Sequence, residues 1–265
     1  MTLPTPNRAF RWSSESWGHA LRCDPLTPLA QHAFTTKQLQ LRGGPARQPA
    51  EWASALASVG AAVTQLVRVK QVHGRQVRVL QKRDVTPQAL AALPDADAIV
   101  SDADGLVLSV QVADCVPILI ADPHTGSAAA VHAGWRGTCS GVARAAVETM
   151  ATTFGVVARD VMVAVGPSIG PCCYAVGRSV VEAFRSSGAS ADDTDRWFVE
   201  RDDGSIHLDL WMANRDQLTR AGVRDENIHI CGLCTQTHHE IFESYRVDGE
   251  RAGRMAALIV VPGEP

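Results

Sequence analysis

Apolar positions change their spacing several times along the chain, and each change predicts an element. From 98 to 122, AIVSDADGLVLSVQVADCVPILIAD is so dense in β-branched and apolar residues that it predicts central strands of a sheet buried on both faces. The runs 116–121 and 128–131 are joined by DPHTG, whose Pro123 and Gly126 mark a turn, so they predict a β-hairpin or two adjacent strands. Further strands are expected at 66–72 and 77–80, around His73 and Gly74, and at 228–231 and 255–261. VMVAVGPSIG (161–170) predicts one more, running into a Gly/Pro turn. Helical spacing covers 49–59, where Trp52, Leu56 and Val59 share a face, and 138–154, where Val142, Ala145, Ala146 and Thr149 form a stripe. It returns at 176–186 and at 207–223, where Leu208, Trp211 and Leu218 are apolar and Gly222 is placed to end the helix. TPQALAALPDADA (86–98) predicts a short helix ended by Pro94. Residues 1–33, interrupted by Pro4, Pro6, Pro25 and Pro28, predict loops before a short strand at 32–36, and the polar stretch 187–205 predicts a surface excursion. Hairpins mixed with helices imply an α+β chain with mixed sheets covered by helices, rather than a doubly wound one.

Composition narrows the class. A chain of 265 residues with 46% hydrophobic content can bury a sizeable core. With no linker in it, a single domain over 1–265 is expected. The net charge of −3, with both signs interspersed, argues against a nucleic-acid surface or a basic membrane-binding face. No apolar run approaches the roughly 18 residues of a spanning helix, and MTLPTPNRAFRW lacks the apolar core of a secretory signal, so a cytoplasmic location is expected. The 7 cysteines are an odd number in a chain too large to need disulfide staples, which predicts reduced thiols.

Candidate chemistry centres on His73, Cys115 and His132, each beside a small residue or turn at the edge of a predicted strand. Adjacent strands at 116–121 and 128–131 would bring Cys115 and His132 within reach of one another. Zinc takes thiolate and neutral imidazole in a tetrahedral shell, and a catalytic site keeps a fourth position for water or substrate. The alternative is two strand-end histidines and a buried cysteine. After His132 the chain turns through Gly134 and Gly137 towards a helix, a natural anion site in which Arg136 could hold phosphate; an ordinary salt-bridged arginine is the alternative. Gln71, sharing a strand face with His73, is a candidate pocket donor or else a surface glutamine, and Asp114 reads as structural rather than as a general base. CGLC (231–234) has redox or zinc spacing but no second pair, which favours packing; adjacent Cys172 and Cys173 read as turn residues, and His238 and His239 as surface or loop residues.

KQVHG (70–74), ADCVPILIAD (113–122), AAVHAGWRG (129–137), GPSIGPCCYAVG (166–177), HLDLWMANRDQL (207–218), CT (234–235) and ESYRVDGERAGRMAALI (243–259) together resemble the laccase-domain family. That family was long labelled polyphenol oxidase and is now described as purine nucleoside phosphorylase with adenosine deaminase activity; bacterial members have also been called peptidoglycan editing factor. The resemblance implies a four-layer α/β/β/α fold with mixed sheets, similar to that of cysteine hydrolases. It also implies that His73, Cys115 and His132 are both metal ligands and the catalytic centre. FTTK (34–37) resembles the family's FTTR, which adds Lys37 to Arg136 and Arg246 as candidate phosphate groups, although a point charge there replaces a forked guanidinium. FESYRVDG departs at Glu243 and Val247 from the FFSYRRDG of many relatives, which bears on substrate preference.

The function implied is a Zn2+-dependent purine nucleoside phosphorylase acting on adenosine, inosine or methylthioadenosine with phosphate, with adenosine deamination as a second activity. One alternative is a cysteine-dependent amidase acting on cell-wall precursors, with Cys115 as nucleophile and His132 as its base. The other is a copper phenol oxidase, for which the chain lacks the clustered HxH patterns of a trinuclear copper site. Imidazole and thiolate suit copper as well as zinc.

Overall fold

The computed structural model describes residues 2–263. In chain order it contains strands β1 (Phe10–Glu15), β2 (Gly18–Cys23) and β3 (His32–Phe34), helix α1 (Pro49–Ala57), then β4 (Leu66–Val67) and β5 (Val77–Leu80). Helix α2 (Pro87–Ala91) precedes β6 (Ala98–Ser101), β7 (Val107–Val112), β8 (Val116–Ala121) and β9 (Ala128–Ala133), which are followed by α3 (Trp135–Ser140) and α4 (Val142–Phe154). Next come β10 (Met162–Val165), β11 (Ala175–Val176), α5 (Arg178–Ser186), α6 (Ala191–Trp197), β12 (Phe198–Glu200) and β13 (Ile206–Leu208). The chain closes with α7 (Leu210–Arg220), β14 (Ile228–Ile230), α8 (Tyr245–Asp248) and β15 (Met255–Val260). Among the described residues no helix is long and apolar enough to cross a membrane.

Two mixed six-stranded sheets, ordered β1-β2-β3-β15-β7-β4 and β14-β10-β8-β9-β6-β5, pack face to face, and a small sheet β11-β13-β12 lies apart from them. Strand parity sets the layers. In β8, Leu119 and Ala121 join Val67, Leu108, Val110 and Ala257 between the sheets, while Val116, Ile118 and Ile120 turn outward onto Val142, Ala146, Met150 and Leu218 of α4 and α7. On the far side, Ala256 and Leu258 of β15 meet Trp52 and Leu56 of α1. The layers are therefore α/β/β/α, as the resemblance implied. Full burial of Leu56 contributes about 2 kcal/mol.

Several expectations are corrected. Residues 1–33 are not loops throughout: β1 and β2 form an antiparallel hairpin, with Phe10, Leu21 and Cys23 in the core between the sheets. The strand expected at 66–72 stops at Val67, and the stripe at 138–154 is two helices, because Gly141 takes a left-handed φ of 81° that ends α3 and starts α4. The stretch 187–205 holds α6 and β12, and its Trp197 is buried against Phe184. Residues 206–208 extend the small sheet, so α7 begins only at Leu210, where the Asp209 side chain accepts the Met212 N–H at 2.9 Å.

Both stretches that cross between the large sheets near the site emerge at one end of the sandwich. β4 pairs in parallel with the start of β7 and β5 with β6, so residues 68–76 run on alongside β7, the Gln71 side chain meeting Gln111 near its end, and enter the second sheet where β6 begins. Residues 113–115 carry β7 into β8 at the same end, where Val116 pairs with Ala133 at the close of β9. β15 begins there too, Met255 pairing with Val112.

Candidate metal centre

His73, Cys115 and His132 meet at that end of the sandwich, their ligand atoms lying within 4.8 Å of one another. Parity explains two of them: Cys115 continues the inward face of Leu119 and Ala121, and His132 continues that of Ala128 and Ala130. His73 arrives from the crossover with a left-handed φ of 60°, and Asp114, just before Cys115, has φ 85°. Side chains rarely adopt this region, and such strain gathers at functional sites. The two imidazole rings stand edge to face, centroids 4.9 Å apart.

Asp97, fully buried at the start of β6, orders the cluster. Its Oδ1 accepts Nδ1–H of His132 at 2.8 Å and the His73 N–H at 2.9 Å, and its Oδ2 accepts the N–H groups of Gly74 at 2.6 Å and Val72 at 3.2 Å. Its carbonyl also accepts the His132 N–H at 2.7 Å. With Nδ1–H held by a carboxylate, His132 turns Nε2 towards the cluster, where loss of the Nε2 proton exposes the lone pair that metal-binding histidines use. Burial pushes the Asp97 carboxyl up, but the bonds from His132 and from the backbone of Gly74 and His73 bring it below the usual carboxylate range. Burial likewise pushes the Cys115 thiol up, yet His132 and His73 together hold it down at about 6. Burial lowers His132, and the Cys115 and Asp97 charges raise it to about 9. Thiolate and imidazolium thus stabilise each other, and deprotonated sulfur is the form that binds metal or attacks carbon.

Gly134 makes room for the cluster: a Cβ there would lie 2.9 Å from both Cys115 Sγ and His73 Cδ2. One thiolate and two imidazoles, one of them oriented by the Asp97 carboxylate, fit a zinc-type donor set.

The cluster opens into a cavity of about 760 Å³. Arg136 and Arg246 line it, the first stacked over Trp135 at 4.2 Å and the second over Tyr174 at 5.1 Å. Arg42, Arg68 and Arg254, which the sequence reading missed, add positive charge to the same cavity, and Tyr245 adds an exposed ring. Asp114 faces it as well, but its carboxylate accepts the Thr235 hydroxyl and the Arg246 N–H, both at 2.6 Å, which supports its reading as structural.

Two candidate groups are engaged by backbone partners. Gln71 lines the cavity, but Val67 is the last residue of β4, and the Gln71 amide is paired at both ends with the Gln111 backbone, at 2.7 and 2.8 Å. Lys37 is not among the residues lining the cavity; its ammonium donates to the His239 carbonyl. Asp97 was also missed. Its segment reads as the tail of a helix, whereas α2 ends at Ala91 and Asp97 stands immediately before β6.

Fold and site together define an α+β sandwich protein with a thiolate–imidazole cluster beneath a cationic cavity. Residues 43–262 match the family described as multi-copper polyphenol oxidoreductase laccase, and the chain belongs to that family. It is 37% identical over 244 residues to a protein of Deinococcus radiodurans named purine nucleoside phosphorylase, covering 87% of this chain and 89% of that one. It is 39% identical over 202 residues to a protein named adenosine deaminase RL5 from an unknown prokaryotic organism, covering 74% and 75%. The crystal structure of hypothetical protein YfiH of Bacillus licheniformis superposes with a TM-score of 0.84 at 25% identity, covering 96% of this chain and 99% of that one. Among the described residues the other group of Cys, His, Asp or Glu side chains at ligand distance is Cys172, Cys173 and Cys234, which contains no histidine.

Proposed function

We propose that the protein is a cytoplasmic zinc-dependent purine nucleoside phosphorylase that cleaves adenosine, inosine or methylthioadenosine with phosphate and also deaminates adenosine. The observation that carries this reading is the convergence of His73, Cys115 and His132 on a cavity lined by arginines and aromatic rings. The names of the two relatives support it. His73, Cys115 and His132 would hold the zinc, which supplies Lewis acidity towards an oxygen of phosphate or water. Arg136 and Arg246 neutralise phosphate, their guanidinium groups held by stacking on Trp135 and Tyr174 and, for Arg246, by the Ala175 carbonyl at 3.1 Å. Tyr245 offers an aromatic face for a purine. In phosphorolysis a phosphate oxygen bonds to C1′ as the C1′–N9 bond breaks, and the purine leaves with the bonding pair and takes up a proton.

The experiment is incubation of metal-quantified protein with adenosine, with and without phosphate, separating adenine, inosine and hypoxanthine. Adenine formed only with phosphate establishes phosphorolysis, and inosine in both samples establishes deamination. His73→Ala or Cys115→Ala with full zinc content and full turnover would sink the proposal. The depressed Cys115 thiol favours one second reading, the cysteine-dependent amidase, with His132 taking the thiol proton. Rapid alkylation of Cys115 in as-purified, metal-free protein, together with amide hydrolysis, supports that reading instead.

A further inference from the structure

Cys172, Cys173 and Cys234 come from distant stretches of sequence, yet their sulfurs lie within 4.8 Å of one another. Two features bring them together. Ser168 pairs with Cys234 as an isolated bridge, its N–H reaching the Leu233 carbonyl and its carbonyl accepting the Thr235 N–H at 3.1 Å. The chain then turns sharply at Gly170, whose carbonyl accepts the N–H groups of both Cys173 and Tyr174 at 3.0 Å. In that turn adjacent cysteines need not point to opposite sides as they would in a strand. Both sulfurs approach the Thr237 hydroxyl, at 3.5 Å from Cys172 and 3.4 Å from Cys173.

We propose that Cys172, Cys173 and Cys234 form a second metal site, separate from the His73–Cys115–His132 cluster, for a single thiophilic d10 ion, Cu(I) or Zn(II). Three sulfurs bound at about 2.3 Å in a trigonal shell stand about 4 Å apart, so closing the site asks only for small side-chain movements, and the exposed Cys172 is free to make them. Three-sulfur coordination suits Cu(I); for Zn(II) the Thr237 hydroxyl or a water completes a tetrahedron.

Hydrogen-bond partners surround the three sulfurs: the Gly170 N–H donates to Cys234 Sγ at 3.3 Å, and the Thr237 hydroxyl lies beside the other two. The Arg201 guanidinium donates to the Pro171 carbonyl at 3.0 Å, in the same turn and one residue before Cys172. Cys231, the partner of Cys234 in the CGLC spacing, instead lies in the core between the sheets. On binding, the three thiols release their protons to solvent and no electron is transferred. The ion would pin the 170–174 turn to the 234–237 segment, behind Tyr174 on the cavity wall.

The test is a count of metal equivalents withheld from a chromophoric chelator by reduced full-length protein, with Cu(I) and Zn(II) offered in separate arms. Wild type is expected to hold two equivalents in at least one arm, and Cys115→Ala and the C172S/C173S double variant one each. Retention of the single ion at the first cluster shows that the double variant is folded. X-ray absorption of the metal bound to the Cys115→Ala protein should show a shell of three sulfurs. The proposal is overturned if C172S/C173S withholds as much metal as wild type in both arms, if Cys115→Ala withholds none, or if its shell is nitrogen and oxygen.

Discussion

At Asp97 a carboxylate without solvent contact accepts from His132 and from three consecutive backbone N–H groups, so it fixes both the tautomer of one candidate ligand and the strained turn that delivers another. Asp97→Asn puts an amide donor where only acceptors fit, and zinc affinity should fall about 10- to 100-fold, measured by chelator competition; unchanged affinity would show that Asp97 does not orient the ligands. Gly134→Ala tests the same centre sterically. The backbone there, at φ −72°, is ordinary for alanine, so the damage should fall on the ligands that a Cβ would crowd. The variant should keep wild-type circular dichroism and lose about tenfold or more in zinc affinity. His32 tests the pH response. Burial holds it down at about 4, and the cause is visible: one ring nitrogen bonds the Ala30 carbonyl at 2.9 Å while the other accepts the Cys23 N–H at 2.8 Å, leaving no place for a second proton. The unfolded chain, with a histidine pKa near 6.5, takes up that proton first. The His32 contribution is therefore complete above pH 6.5 and is lost as pH falls towards 4, by up to about 3 kcal/mol. Urea midpoints at pH 7.5 and 5 should diverge more in wild type than in His32→Gln; equal divergence would clear His32 of the effect.

Among the elements, those carrying their own periodicity were legible and those depending on distant partners were not. β8 and β9 follow from a double-faced apolar run and a turn, and their parity already aims Cys115 and His132 at one layer. The β1–β2 hairpin was hidden because prolines flank it and its apolar positions are sparse; it exists because Leu21 and Phe10 find Phe34 and the second sheet. Arg42, Arg68 and Arg254 could not be grouped from sequence, since only the convergence of strand ends at one end of the sandwich assembles them. Lys37 and Gln71 were legible as polar groups, but the backbone partners that engage them, His239 for Lys37 and the cavity-lining Gln111 for Gln71, were not. Gly141 shows how one backbone conformation overrides a helical stripe. A Cβ there would meet nothing closer than Arg144 at 3.6 Å, so the cost of Gly141→Ala is conformational, about 1–2 kcal/mol, read as a lower urea midpoint. Gly141→Asn, whose side chain tolerates the left-handed region better, should lose less; equal losses would place the cost elsewhere.

Across the whole molecule, the cluster joins parts that the core alone holds together. His73 lies on a crossover between the sheets and Cys115 on another, while His132 belongs to the second sheet and Asp97 stands at the residue before its β6. An ion held there links both sheets in the folded state and has no preformed site in the unfolded chain, so its binding free energy adds to stability. At a free metal concentration about 1,000 times the Kd, that addition is about 4 kcal/mol, which for a chain of this length corresponds to roughly 10 °C in Tm. The measurement belongs in a C172S/C173S background, so that metal at the second thiol group does not contribute. There, stripping zinc with a chelator should lower Tm by about that amount, and adding Cys115→Ala should abolish the response. The position of the cluster also requires Cys115→Ala without chelator to melt close to the stripped parent, because the deletion removes the tie between the sheets and leaves the three apolar layers intact. A chelator shift that persists in the Cys115→Ala protein would show that the stabilising ion binds elsewhere.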